Sequence, residues 1–164
     1  MRRRIAANDP RIGRFRADLE ALTGTAPTPA RKLGVAVSGG PDSTALLLLA
    51  AAGFPGSLTV ATVDHGFRPE AAAEAAGVAT LCRDLGVPHA TLALDWDGLP
   101  RANLQARARE RRYRALAGWA AGERCEWLAV GHHLDDQAET LLMRLNRGAG
   151  VHGLSTAWHL DRQG

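Results

Sequence analysis

Lysine is almost missing from this chain. Lys and Arg together number 20, and only Lys32 among them is a lysine, so the basic side of a formal charge of +3 is nearly all arginine. The widespread phosphate loop Gly-x-x-x-x-Gly-Lys-Ser/Thr is thereby excluded, because no lysine stands at a helix start. Cysteine is nearly as scarce: Cys82 and Cys125 lie far apart and form no Cys-x-x-Cys pair, which removes any zinc or iron–sulfur signature. Two buried, inert thiols in a reducing compartment are the expectation. Aromatic residues make up only 5%, and none of the four tryptophans lies in a run of basic and aromatic residues. Trp96, Trp119, Trp127 and Trp158 therefore read as packing residues rather than as base-stacking platforms. No apolar run approaches the roughly 20 residues of a membrane span. The arginine-rich start, Met1 to Arg4, leads to Asp9, Asp18 and Glu20 instead of a signal-peptide core, so a cytoplasmic protein with no membrane partner is expected.

What is present fits a globular domain: 164 residues, 46% hydrophobic and 23% charged, enough to bury one core but short for two. Arginine's planar fork suits phosphate and carboxylate, which is compatible with RNA binding, but a genomic codon bias would produce the same composition. Charge alone decides nothing here.

The most informative stretch is Leu33 to Ala50, LGVAVSGGPDSTALLLLA. An apolar run ending at Val37 meets Ser38-Gly39-Gly40-Pro41-Asp42-Ser43, and an apolar run of helical length follows. Strand, glycine turn, helix is the reading. Two adjacent glycines let a ligand approach the backbone, and the helix start offers N–H groups and partial positive charge to an anion, a phosphate above all. The plainer alternative is a simple turn in which Asp42 or Ser43 caps the helix.

The chain before this point stands apart. Ile12, Phe15, Leu19 and Leu22 fall at helical spacing and Thr23 to Pro29 breaks the pattern, so residues 1–31 read as an N-terminal helix and linker packed on a domain at 32–164. From Leu33 onward strands alternate with helices: strands at 58–63, 89–94 and 127–130, helices from Pro69 to about Leu85, from about Asn103 to Ala121 and from about Leu134 to Asn146. That order predicts an α/β fold, an open parallel sheet with helices on both faces, Rossmann-like. In such sheets ligands bind outside the carboxyl ends of the strands, which is where Ser38–Ser43, Asp64-His65-Gly66 and Gly131-His132-His133 fall.

The second chemical stretch is Gly131-His132-His133-Leu134-Asp135-Asp136-Gln137-Ala138-Glu139-Thr140. As a helix it places Ala138, Leu141, Leu142 and Leu145 in a core stripe and Asp136 beside Glu139. Carboxylates and histidines at a cleft edge could bind an amine, hold Mg²⁺ through water or act as a base. Acids in a first turn also simply complement the helix dipole. Adjacent histidines with no third ligand speak against zinc. Arg107, Arg109, Arg111, Arg112 and Arg114 crowd one helix at spacings that cannot all face one way, so most are expected in solvent.

Ser38-Gly39-Gly40-Pro41-Asp42-Ser43 after a strand resembles the pyrophosphate loop (PP-loop) of the N-type ATP pyrophosphatases, with their adenine nucleotide alpha-hydrolase-like fold. The segment from Gly131 to Thr140 narrows this to a resemblance to the tRNA(Ile)-lysidine synthetases. Val63 to Arg68, the Ala-Arg-x-x-Arg-Tyr block at Ala108 to Tyr113, and Arg147 to Leu154 match further blocks in that family's order, so the likeness runs from about Leu33 to Ser155.

The resemblance implies an enzyme that uses ATP and Mg²⁺ to join L-lysine to the wobble cytidine of the isoleucine tRNA with a CAU anticodon, by adenylating the cytidine C2 oxygen. It further implies that Ser38, Gly39, Gly40, Pro41, Asp42 and Ser43 hold the pyrophosphate portion, with Mg²⁺ near Asp42 and no firm protein metal site, while Ala36, Val37 and Asp64 flank adenosine. His133, Asp136 and Glu139 would receive lysine, and Arg109 and Arg112 would meet a phosphate or the lysine carboxylate; Asp42, Arg109, His133 and Asp136 are the expected catalytic set. A homodimer is compatible with all of this. Family members are generally longer, so the expectation is a C-terminally truncated PP-loop portion that keeps the ATP and lysine half-sites and binds tRNA weakly. Two rivals stay open: a related tRNA-thiolating enzyme, although the paired cysteines many of them need are missing, and a non-catalytic adenine-nucleotide-binding module.

Overall fold

The computed structural model describes residues 4–96, 102–134, 137–145 and 154–160, and for 132–145 and 154–160 only the backbone is described. A first helix, α1 (Pro10–Thr23), starts at Asp9, whose side chain accepts from the Arg11 N–H, with Pro10 in the first turn where its missing N–H costs nothing. It stops at Gly24, left-handed at φ 74°. Then come β1 (Lys32–Ala36), α2 (Pro41–Gly53), β2 (Leu58–Asp64), α3 (Pro69–Leu85), β3 (His89–Ala93), α4 (Leu104–Gly122), β4 (Cys125–Leu134), β5 (Gln137–Leu145) and β6 (Leu154–Leu160). Among the described residues no helix is long and apolar enough to cross a membrane.

The six strands form one sheet in the order β3-β2-β1-β4-β5-β6. The first four are parallel, as the alternating pattern predicts. β1 and β2 are covered on both faces, which is why they read as continuous apolar runs rather than as alternation; β3 is an edge strand and only partly buried.

Each face has its own core. On one, Leu33 and Val35 of β1 and Val37 just after it pack with Leu58 and Val60 of β2, Leu46, Leu47 and Ala50 of α2, Val78 and Cys82 of α3, and Phe15 and Leu19 of α1. Phe15 and Phe54 meet at 6.2 Å between ring centroids, so the expected packing of the N-terminal helix on the domain is realised. On the other face Ala36, Ala61, Leu128 and Val130 pack under Leu116 of α4, with Tyr113 and Trp119 at the margin. A Cβ at Gly34 would sit 3.2 Å from Cys125 Sγ and 3.3 Å from the Trp119 ring, so glycine is what allows α4 this close. Leu33, Leu47 and Leu128 are fully buried, each contributing about 1.5–3 kcal/mol of transfer free energy. At the amino ends of β1 and β4, Arg31 forks onto the Glu126 carboxylate and lies 5.4 Å from the Trp127 ring centroid. Arg31 is half exposed, so solvent screens this pair and it adds little beside the core.

The segment expected as a helix from about Leu134 to Asn146 is instead strand β5, antiparallel to β4, with Leu134 opposite Gln137 and Trp127 opposite Arg144. β6 adds a second antiparallel strand, so the sheet is parallel only through β4. The physical reason lies in β4, whose backbone groups on the side away from β1 need partners, and β5 supplies them. Nine residues containing a Leu-Leu-Met run satisfy a helical stripe and a buried strand about equally. Glu139 therefore lies on a strand rather than on a helix face, and its expected partner Asp136 lies outside the described residues.

Both cysteines are buried. Burial pushes the Cys82 thiol up to about 11; burial first, and then Glu123, pushes Cys125 up to about 12. Such thiols are almost entirely protonated near neutral pH and nucleophilically inert. A thiol-reactive dye at neutral pH should label neither in the native chain within minutes and both after denaturation. Rapid native-state labelling of either would show that the burial does not hold in solution.

Candidate functional site

After β3 the chain crosses to the other side of β1, so the carboxyl ends of β1 and β4 flank the point where the strand order reverses. Open α/β sheets leave a crevice there. Ala36 and Val37 deliver the chain into it, Val37 N–H still bonding Ala61 O at 2.9 Å. Gly39 then takes φ 93°, a conformation that L side chains rarely adopt. A Cβ there would also touch Glu74 Cβ at 3.5 Å and Val78 Cγ2 at 3.7 Å. Gly40 is the extended N-cap of α2 and Pro41 opens the helix, with Asp42 in its first turn.

Ser43 organises this turn. Only 2% exposed, its Oγ accepts from the Ser38 N–H at 3.2 Å, donates to Gly40 O at 3.1 Å and lies 3.1 Å from Ser38 Oγ. No side chain caps α2, so the plain alternative of an Asp42 or Ser43 cap does not hold. An α-helix gives its first-turn N–H groups no acceptor of its own. Here they sit at the mouth of the crevice with a hydroxyl-braced glycine turn before them, a donor set suited to phosphate oxygens. A Cβ on Gly40 would meet nothing nearer than Ser38 Oγ at 3.6 Å, so the turn's outer side has room for a ligand.

From the other flank β4 presses on the same turn. A Cβ at Gly131 would lie 3.0 Å from Ser43 Cα and 3.2 Å from Ser43 N, tighter than backbone tolerates. Gly131 is thus the position that lets strand and helix start meet. A glycine after the apolar run Trp127 to Val130, just before a His pair, was the available signal for it.

At the end of β2, Asp64 Oδ1 accepts from the Gly66 N–H at 2.9 Å and fixes a turn with Gly66 at φ 68°. His65 is half-buried beside it, its Nδ1 buried and without a hydrogen-bond partner among the described residues. Burial lowers its pKa below the ordinary value, and the charge of Arg112 lowers it further against the opposing pull of Asp64. Arg112 is itself half-buried, with Nε likewise buried and unpartnered among the described residues. A guanidinium held in this way near His65 suits an anionic group of a ligand. Arg109 is exposed and lies 5.6 Å from the Tyr113 ring centroid.

The sheet edge therefore brings together Ala36, Val37, the Ser38–Ser43 turn, Asp64 and Gly131, with α4 carrying Arg109 and Arg112 across β2 and β4. His133 and Glu139 are described by backbone register only, His132 opposite Glu139 and His133 opposite Ala138; Asp136 lies outside the described residues, as does Arg147 to Gly153. Among the described residues no three His, Cys, Asp or Glu side chains cluster as a metal site. A cavity of about 400 Å³ beside Gly39 is otherwise lined by Thr44 and α3 residues such as Glu74, Val78 and Asp84. Neither Asp64 nor Arg112 lines it, so the outer face of the turn, not this cavity, is the candidate site.

Comparison with known proteins gives the family and the fold. The PP-loop domain profile matches residues 14–163. The tRNA(Ile)-lysidine synthase of Novosphingobium aromaticivorans is 52% identical over 142 residues, 87% of this chain and 41% of that protein. The tRNA(Ile)-lysidine synthase of Ruegeria pomeroyi is 55% identical over 131 residues, 77% of this chain and 31% of its own length, and that of Bradyrhizobium diazoefficiens 48% over 163 residues, 95% and 43%. The chain thus spans less than half the length of these curated relatives. Two solved structures share the fold: the U34-tRNA thiolase NcsA from Methanococcus maripaludis with its [4Fe-4S] cluster (TM-score 0.63, 20% identity, 79% of this chain and 48% of that one) and the NH3-dependent NAD synthetase from Campylobacter jejuni (TM-score 0.54, 14% identity, 77% and 56%).

Two predictions follow from the geometry. Gly131→Ala should cost about 1–3 kcal/mol of stability in denaturant unfolding, through overpacking against Ser43, and weaken ATP binding by calorimetry at least tenfold; wild-type ATP affinity in this variant would disprove the coupling. The folded chain holds His65 and His89 neutral below their ordinary pKa, both chiefly through burial. The unfolded chain takes up those protons near about 6.5, so this contribution to stability is complete above that pH and drains away as pH falls through the folded-state midpoints. NMR titration should put both imidazole midpoints under about 6.5, and a midpoint at or above it would reverse the sign.

Proposed function

This chain belongs to the PP-loop domain family, and on that premise we propose that it binds ATP and L-lysine to modify the wobble cytidine of an isoleucine tRNA with a CAU anticodon. The observation that carries the reading is the Ser38–Ser43 turn: a lysine-free, hydroxyl-braced anion cradle at the sheet's reversal point, pinned by Gly131. Curated relatives at about half identity bear the name tRNA(Ile)-lysidine synthase, which supports the choice of substrates.

In this reading the backbone amides of Ser38 to Ser43 and the Ser38 hydroxyl hold the β- and γ-phosphates while the buried Ser43 hydroxyl braces the turn, with Ala36, Val37 and Asp64 beside the adenosine. Pyrophosphate is the leaving group, and stabilising its developing charge with pre-oriented donors is the main catalytic contribution. The Asp42 carboxylate is a hard oxygen donor next to the phosphate cradle, which fits Mg²⁺, and Asp42 is the residue that would hold it. Bound there with ATP, Mg²⁺ would supply charge neutralisation at the phosphates.

The cytidine C2 oxygen attacks the α-phosphorus; a P–O bond forms, the bond to the β-phosphate oxygen breaks, and pyrophosphate departs. The lysine ε-amine then attacks C2, the C2–O bond breaks, AMP leaves with that oxygen, and the amine gives up its proton to a base. His133, Asp136 and Glu139 are assigned to lysine, the carboxylates meeting its ammonium groups. Arg112, with Arg109 nearer solvent, is assigned to the lysine carboxylate or a phosphate; the unpartnered Nε of Arg112 supports that role. Residues 32–164 carry this chemistry, with 1–31 as a supporting helix and linker, and the setting is the cytoplasm. A tRNA-thiolating activity is the weaker reading, because Cys82 and Cys125 are both buried with raised pKa values.

The decisive measurement is pyrophosphate release with each amino acid in turn, with and without tRNA. Release should require both lysine and the isoleucine tRNA, and Asp42→Asn should suppress it. No response to lysine would overturn the assignment; release driven by a sulfur donor would favour thiolation.

A further inference from the structure

Three stretches distant in sequence meet at the carboxyl ends of β2 and β3. Phe67 follows the Asp64–Gly66 turn and is 39% exposed, one of two exposed large hydrophobic residues among those described. Its ring centroid lies 4.7 Å from that of Trp96, with 37° between the planes. The Trp96 indole is anchored from below, Nε1 donating to His65 O at 2.8 Å. Arg111 of α4 places its guanidinium carbon 5.0 Å from the Trp96 ring centroid and is fixed there by Nη1 donating to Asp95 O at 2.6 Å. The His65 ring lies 6.4 Å from Phe67 and is within 11° of parallel to it.

An aromatic pair used only for packing is normally buried; this one is ordered by hydrogen bonds at its base yet leaves a ring in water. A flat apolar surface on an anchored base, with guanidinium groups beside it, is the recognition chemistry of unpaired nucleobases, which stack on aromatic and Arg planes while their phosphates meet positive charge. Exposed Arg111 brings that charge to the Trp96 ring, and exposed Arg68 follows Phe67 directly in the chain, its Nη2 3.6 Å from the Glu74 carboxylate. It adjoins Asp64 and so continues the candidate site along the same sheet edge, one to two strand spacings from the phosphate turn, roughly 5–10 Å.

We propose that Phe67 and Trp96, backed by Arg111, form a stacking platform for an unpaired RNA base that neighbours the reacting nucleotide. The platform holds the single strand while the reacting base reaches the phosphate turn. This rests on the RNA substrate of the reading above and adds to it a site for a second base.

The test uses Phe67→Ala and Phe67→Trp with a short single-stranded RNA of the anticodon-loop sequence, each base replaced in turn by an abasic residue, and binding read by fluorescence anisotropy. Phe67→Ala should weaken binding about 5- to 100-fold, the range for loss of one base–aromatic stack, and should erase the penalty of one particular abasic position. Phe67→Trp should restore both, and the KM for ATP should move less than twofold. Unchanged RNA affinity in Phe67→Ala, failure of the wild-type chain to bind the RNA, or a raised KM for ATP with RNA affinity intact would overturn the platform, the last by assigning the rings to adenine. Thermal unfolding of Phe67→Ala near the wild-type temperature confirms that binding, not folding, is read. Lysine-dependent pyrophosphate release is scored separately: abasic coupling without it leaves the platform and removes the lysine reading, and release without coupling does the reverse.

Discussion

A phosphate-binding turn has to keep its amides pointed at a ligand, and without help a glycine pair would collapse or wander. In this chain the restraint is one buried hydroxyl. Ser43 Oγ takes the Ser38 N–H and gives its proton to Gly40 O, so the same group ties the end of β1 to the start of α2. Each such bond is worth only about 1 kcal/mol net, but leaving the buried partners unsatisfied would cost more than that. Around this knot the neighbours are chosen for closeness. Gly39 takes the positive φ that the turn needs and Gly131 lets β4 approach, so a Cβ at either place would strain the turn. The rest of the edge, Asp64 with its turn and Arg112 on α4, is arranged about a point that these contacts define.

The parallel half of the fold could be read from the chain because each element there satisfies only one period. LGVAV and LTVATV are apolar on consecutive positions, as strands covered on both faces must be, and Pro41 and Pro69 open helices where a missing N–H costs nothing. The Ser38–Ser43 turn was legible for the same reason. Gln137 to Leu145 was not: Ala138, Leu141, Leu142 and Leu145 fit a helix face, and what decides for a strand is the unpaired edge of β4, a tertiary fact that no local pattern carries. The surface pair was hidden by distance, since Phe67 and Trp96 lie far apart in the chain and Trp96 alone looks like a packing residue. Trp127, at 3% exposure, is one.

Shared architecture says little about which reaction is run. A tRNA thiolase and an NAD synthetase both superpose on this chain at 20% identity or less, so what they have in common is the sheet and its reversal point. Differences in chemistry must come from groups mounted on that edge. Here those include the half-buried Arg112 guanidinium and the Asp64 carboxylate, and both cysteines are buried away from it.

The single lysine of the chain opens β1, at the opposite end of that strand from the phosphate turn and so roughly 16 Å away from it. Acetyl groups, which silence lysine charge, therefore have one internal target, and it lies at the end of the sheet that carries none of the candidate residues. The basic wall over the site is arginine, whose guanidinium keeps its proton at any pH a cell reaches. Its positive charge is thus a fixed property of the fold, closed to the commonest enzymatic means of neutralising a basic surface.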